Sequence, residues 1–446
     1  MDIQQVTSPG GIKAWLVEEH SIPFTALEIW FRGGSNLDRE GKRGAVNLMT
    51  ATLEEGSGDL DARQFQAARE GLAASFDFEA YDDAVAVSAT MLTENRDAAV
   101  DLLRQALVEP RFDQDAIDRV RGQVLSIIAS DAQDPSTIAG DTWMAEAFPG
   151  HPYGSSINGT AESVQGLTRE DILQARQDTL VKGRVYVAAV GDITPDELGK
   201  LLDTLLGDLP QDGPALPSEV APKLDGGTTV VDYPTPQASA LFGQRGLRRD
   251  DPDYFAAYVL NHILGGGGFE SRLMDEVREK RGLTYGIGTV LVDKDYTDLW
   301  LGSVASDNRT IGQAIDLVRE IWADVAANGV TEEELQAAKT YITGEYPLRF
   351  DGNAEIAGIL VGMQMIGLPP EYVVNRNSYI EAVTMDDIKR VASELMDPDH
   401  LHVVVVGQPE GLDGGAAPAV ATDAAAATPS AGAAVAAPEP AEAATP

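Results

Sequence analysis

Apolar and polar positions alternate along Leu27-Glu28-Ile29-Trp30-Phe31-Arg32, and again from Asp83 to Met91, where Val85, Val87 and Ala89 share a face. A two-residue period marks strands with one face buried. The period then changes. Val100, Leu103 and Leu107 recur at helical spacing after Thr93-Glu94-Asn95-Arg96, and Ile117, Val120, Val124 and Ile128 define a second helix. Adjacent strands followed by a helix pair, without regular strand–helix alternation, predict an α+β fold: a mostly antiparallel sheet packed against helices.

The pattern then repeats. Ser306-Asp307-Asn308-Arg309 opens a helix carrying Ile311, Ile315, Val318 and Trp322, with Arg309 lying 213 positions after Arg96. Thr168-Arg169-Glu170-Asp171-Ile172 returns as Thr384-Met385-Asp386-Asp387-Ile388, 216 positions on. Both have the Ser/Thr-x-x-acid form that caps a helix start. Each is followed by an apolar strand ending in glycine, Val185 to Gly191 and Leu401 to Gly407. Two blocks in one order at nearly constant offset point to internal duplication. The Pro/Gly-rich run from Gly207 to Gly227 reads as a linker. It divides the chain into domains over 1–206 and 228–410, and an Ala/Pro-rich, base-free tail over 411–446 is expected to be disordered.

Length and charge agree with this division. The 446 residues are too many for one ordinary core. With 33 basic against 71 acidic residues the net charge is −38, which argues against nucleic-acid and anionic-membrane binding. No apolar run is long enough to span a membrane. Cysteine is absent, which removes disulfides, thiol nucleophiles and thiolate metal sites. Met1-Asp2-Ile3-Gln4 shows neither a basic nor an apolar signal region, so export would require a leader already removed.

Candidate chemistry is sparse. His20, His151, His262, His400 and His402 contain no pair at helical metal spacing, and read as satisfied or solvent-facing side chains. Gly265-Gly266-Gly267-Gly268 lacks the trailing glycine of a dinucleotide fingerprint and reads as a hinge or tight turn. The stretch from Glu270 to Gly288 predicts a helix ending near Gly282 and a strand beginning near Tyr285. On its own residues, Arg278, Lys280 and Arg281 would complement the helix dipole and Tyr285 would pack.

Three segments nevertheless carry a resemblance: Phe31-Arg-Gly-Gly-Ser35 with Glu40-Gly-Lys-Arg-Gly44, His151-Pro-Tyr-Gly154, and Ser271-Arg-Leu with Arg278-Glu-Lys-Arg-Gly-Leu-Thr-Tyr285. Over residues 1 to 410 the chain resembles the pitrilysin (insulinase-like) zinc metallopeptidases, including the mitochondrial processing peptidase branch. The resemblance implies duplicated α+β halves forming half of a clamshell. It also implies an H-x-x-E-H zinc helix after Gly44, where this chain instead has Asn47, Thr50 and Ala51. The distal glutamate ligand is expected where Ser126 and Ile127 stand. The metal motif is therefore degenerate, and no cofactor is expected in this chain. The family's Arg/Tyr pair, seven residues apart, is matched by Arg278 and Tyr285. The implied roles are peptide-carbonyl binding for Arg278 and oxyanion stabilisation for Tyr285.

The resulting expectation is a subunit inactive alone, paired with a homologous zinc-bearing peptidase chain and acting on peptide or unfolded polypeptide. The alternative is an inactive structural subunit like the respiratory-complex core proteins of the same descent. A periplasmic location is expected, with the cytoplasm as the alternative.

Overall fold

The computed structural model describes residues 1–412 and the backbone of Gly415–Ala416. The first half builds a six-stranded sheet from β1 (Gln4–Thr7), β2 (Lys13–Glu18), β3 (Phe24–Arg32), β4 (Ser75–Ala80), β5 (Ala84–Leu92) and β6 (Val185–Gly191), in the order β1-β2-β6-β3-β5-β4. The second half builds another from β7 (Thr228–Asp232), β8 (Gln237–Arg245), β9 (Ile287–Lys294), β10 (Thr297–Asp307), β11 (His402–Gly407) and β12 (Gly415–Ala416), in the order β9-β10-β8-β11-β7-β12. Five strands of each sheet match one for one. Each matched set has a single parallel pair, β2 with β6 and β7 with β11, among antiparallel neighbours. The α+β duplication expected from the repeated blocks is present.

Alternation sets the faces. Leu27, Ile29 and Phe31 of β3 turn into one core with Val85 and Val87 of β5. Over that core lie α1 (Ala45–Thr50), α2 (Arg96–Val108), α3 (Gln114–Asp131) and, at the far end, α5 (Arg169–Thr179). Between α3 and α5 comes α4 (Pro135–Ala147). The second half repeats the scheme with α6 (Tyr254–Asn261), α7 (Ile311–Asn328), α8 (Glu332–Glu345), α9 (Asn353–Met365) and α10 (Met385–Leu395). Thr168 and Thr384 both form complete capping boxes, with Asp171 and Asp387 at the third helical position.

The halves exchange one helix each. α4 lies on β8 and β11 of the other half, while α9 lies on the equivalent strands β3 and β6. Ala139, Trp143 and Ala147 join Leu299, Val404 and Val406 in one mixed cluster. Ala357, Leu360, Val361 and Met363 join Trp15, Ala26, Ala188 and Val190 in its counterpart. Each exchanged helix adds a polar tie: Trp143 Nε1 donates to the His402 carbonyl (3.2 Å), and Gln364 Nε2 to that of Val187 (2.8 Å). The β9–β10 hairpin tip also enters the first half, where Arg32 meets Asp295 at 2.9 Å and Asp295 N donates to Asp83 at 3.1 Å.

Several boundaries depart from the sequence reading. The helix expected from Glu270 to near Gly282 is instead a 3-10 turn, Gly268–Glu270, and a π-helical segment, Met274–Glu279. The strand expected near Tyr285 begins at Ile287. Apolar spacing at Leu273, Met274 and Val277 suits either helix type, so the wider winding left no mark. Most of the expected tail lies outside the described residues. At its start it is not loose: Leu412 packs on the second core, and Gly415–Ala416 pair with Thr229–Val230.

Candidate functional site

Gly44 introduces α1 in the left-handed region (φ 94°), and a Cβ there would stand 2.7 Å from the Asn158 carbonyl, so only glycine fits. Asp38 caps the turn by accepting from the backbone N–H groups of Gly44 (2.8 Å) and Val46 (2.9 Å); burial pushes its carboxyl up to about 6. Arg43 beside it donates to the carbonyls of Ser35, Pro152 (3.1 Å) and Ser155 (2.8 Å). The Phe31–Ser35, Glu40–Gly44 and His151–Gly154 segments therefore meet around one guanidinium. They are the scaffold of the helix that follows.

That helix holds no metal-ligand set. Asn47 Nδ2 donates to Asn158 Oδ1 at 3.0 Å, and Asn158 in turn donates to Asp131 at 3.3 Å. The Thr50 hydroxyl, 1% exposed, turns back to the Val46 carbonyl at 2.8 Å. Ala51 caps the C-terminus with no polar atom to offer. On α3, Ser126 bonds back to the Gly122 carbonyl (2.9 Å) and Ile127 is half exposed. Among the described residues, no three His, Asp or Glu side chains stand where they could share a metal ion. The residues present do not fit zinc, because the amide and hydroxyl are neutral and already spent on internal partners.

The five histidines have local partners or neighbours. His20 bridges Asp192 and Glu18, His400 pairs with Asp397, and His402 with Glu146 at 2.6 Å. His151 accepts from the Tyr153 N–H at 3.2 Å, and His262 lies against the Tyr341 ring.

Arg278 and Tyr285 are presented differently. Arg278 closes the π-helical segment, its guanidinium 4.5 Å from the centre of the Phe269 ring and its Nε 3.5 Å from Glu279. Gly282 (φ 61°) reverses the chain, with Gly282 N donating to the Arg278 carbonyl (2.7 Å) and Leu283 N to that of Val277 (3.0 Å). Thr284 anchors the next turn through its hydroxyl, which donates to the Ala305 carbonyl at 2.6 Å and accepts from Gly286 N at 3.1 Å. Between these anchors Tyr285 is 83% exposed, so it does not pack. Lys280 and Arg281 pair with Glu276 one turn back, which is a more local job than complementing a dipole.

Sequence reasoning missed Phe269 and Asn158. Phe269, 66% exposed directly after four glycines, carried a readable signal: an aromatic ring on a turn with no apolar neighbours in sequence. Asn158 carried none. It also missed an acidic strip on the face of the first sheet opposite its core. Cross-strand register sets Asp77, Ser88 and Glu28 in one row and Glu79, Ala86 and Trp30 in the next, with Trp30 and Tyr81 rings 6.2 Å apart.

Two family models match the chain: "Insulinase (Peptidase family M16)" over residues 14–161 and "Peptidase M16 inactive domain" over 166–342. A protein of Helicobacter pylori named as a non-peptidase homolog, YmxG, is 27% identical over 373 residues, covering 83% of this chain and 86% of that protein. A probable mitochondrial-processing peptidase subunit beta of Schizosaccharomyces pombe is 28% identical over 353 residues, covering 75% and 72%. Among solved structures, an M16 inactive domain from Pseudomonas fluorescens superposes with TM-score 0.85 at 29% identity, covering 92% of this chain and 98% of that one. A chain of complex III from Candida albicans superposes with TM-score 0.75 at 16% identity and shares the fold.

Proposed function

This chain belongs to the insulinase-type M16 peptidase family, as an inactive-type member, and we propose that it is the zinc-less subunit of a two-chain zinc endopeptidase. One observation carries the reading. Helix α1 has turned its polar groups inward, while from a pinned turn Tyr285 is held out to solvent and Arg278, its side chain 31% exposed, stays at the surface on the Phe269 ring. A scaffold has no use for a solvent-facing tyrosine on an anchored loop that follows a surface arginine.

In this reading a homologous H-x-x-E-H chain brings the zinc, and this chain brings the other wall of the site. Arg278 donates to a peptide carbonyl beside the scissile bond and fixes register. The Tyr285 hydroxyl donates to the scissile carbonyl oxygen as negative charge builds on it. The two chains would act on peptides or unfolded polypeptide, with the periplasm as the proposed location and the cytoplasm as the alternative. Asp77 and Glu79, exposed near the Tyr81 ring at the sheet edge, offer that polypeptide a polar wall.

The test is reconstitution. The full chain is mixed with H-x-x-E-H chains from the same genome and assayed on an internally quenched peptide library. Cleavage is expected only in a mixture, and Tyr285→Phe should lower kcat roughly 10²–10³-fold, the range found for losing one oxyanion donor. Arg278→Ala should chiefly raise KM. A mixture that cleaves equally well with both changes removes the catalytic role. Absence of cleavage in every mixture, with recovery in a large assembly, favours the structural-subunit alternative.

A further inference from the structure

Phe269 is 66% exposed, yet the turn that carries it is over-determined. A Cβ on Gly265 would stand 2.6 Å from Thr289 Oγ1, one on Gly266 2.7 Å from Asn261 Nδ2, and one on Gly267 2.8 Å from the His262 carbonyl. These glycines press the chain against its neighbours, so the run is no flexible hinge. Gly268 then takes φ +58°, where a side chain would be strained. Gly267 N donates to the His262 carbonyl (2.8 Å), and Ser271 donates from both its N (3.1 Å) and its Oγ (2.8 Å) to that of Gly268. Two π-helical segments, His262–Gly266 and Met274–Glu279, bracket the turn. Such windings are rare and concentrate at functional sites.

What this turn holds out is an aromatic face, and what lies against that face is the Arg278 guanidinium, 4.5 Å away. We propose that Phe269 is a positioning residue for Arg278, and that the four-glycine turn exists to place its ring. A guanidinium stacked on a ring gives up its flat face and keeps its N–H edges, which are the donors a peptide carbonyl needs. With the ring in place Glu279 stays 3.5 Å from Arg278 Nε, too far for a strong hydrogen bond; a guanidinium released from the ring would be open to closer pairing with that carboxylate. The ring therefore sets the direction of the guanidinium and keeps its pairing with Glu279 weak. The contribution to catalysis rests on the peptide-binding role given to Arg278 above; the placement of the guanidinium does not.

Two measurements test it. In the full chain with ¹⁵N-labelled arginine, the Arg278 Nε–Hε signal is assigned by its loss in Arg278→Lys. It should be shifted upfield by the ring current, move to the position of a free arginine in Phe269→Ala, and stay shifted in Phe269→Trp. A signal unmoved by Phe269→Ala overturns the proposal. In the reconstituted mixture, Phe269→Ala should raise KM for the quenched peptide about tenfold, with kcat changed less than twofold. It should add nothing in an Arg278→Ala background, and Phe269→Trp should restore KM to within threefold. Equal losses in both backgrounds would make Phe269 a direct substrate contact and overturn the positioning role. If Arg278→Ala itself has no effect, the peptidase reading fails, and the spectra alone decide the placement.

Discussion

Glu28 sits on β3 facing away from the first core, where cross-strand neighbours place Asp77 and Glu79 near it. Burial, with added repulsion from those two carboxylates, pushes its carboxyl up to about 7, against the lowering effect of the hydrogen bond that the Ser88 hydroxyl donates to it at 2.9 Å. A folded-state value above the unfolded one means this group favours folding fully only below its unfolded value. That contribution is lost as pH rises through about 7. Glu28→Gln should therefore raise stability at pH 8 by on the order of 2 kcal/mol and leave it unchanged at pH 4. Denaturant midpoints of the two proteins at both pH values check this, and a gain that is larger in acid would reverse the sign. Residue-level chemistry was unevenly legible in the sequence. The degenerate zinc motif could be read from letter identity: an amide at Asn47 and a methyl at Ala51 stand where the resemblance expects two imidazole ligands, and a hydroxyl at Thr50 where it expects the carboxylate base. Glu28 could not, since its environment is made by strands about fifty residues away.

Elements were legible where a local rule governs them. The Thr168 and Thr384 boxes specify helix starts through four consecutive residues, and the alternation in β3 and β5 specifies a buried face. The exchanged helices obey no such local rule. α4 and α9 carry small and apolar residues around more than one side, which states that they are buried without stating by which sheet. The consequence is measurable. Trp143 belongs to the first half by sequence, but its fully buried ring packs among residues of the second sheet. Trp143→Ala should cost about 3–5 kcal/mol, the range for removing a large buried aromatic. Hydrogen exchange should then quicken at Phe242 and Val404, in β8 and β11 of the other half. Loss of protection confined to residues before the linker would contradict the exchange.

At the scale of the whole molecule, the exchange decides how the two halves can move. The linker, residues 207–227, has no regular secondary structure, and its sequence suggests a tether. Yet it lies against the body: Val220 N donates to the Tyr296 carbonyl and Lys223 N to that of Ala147, both at 2.8 Å. With α4 and α9 crossing in opposite directions and the β9–β10 tip held by Asp83 and Arg32, separating the halves would strip two apolar interfaces at once. The two halves of this chain are then expected to move as one body, so that in the two-chain reading proposed above any opening would lie between chains and not within this one. Ser218 and Glu219 are exposed, so a protease site placed there is open to cutting while the linker's neighbouring contacts persist. After complete cleavage the two fragments should still elute together at the size of the 47.4 kDa chain and unfold in one transition. Elution as two separate species of roughly half that mass would show that the peptide link, not the exchanged helices, holds the halves in register.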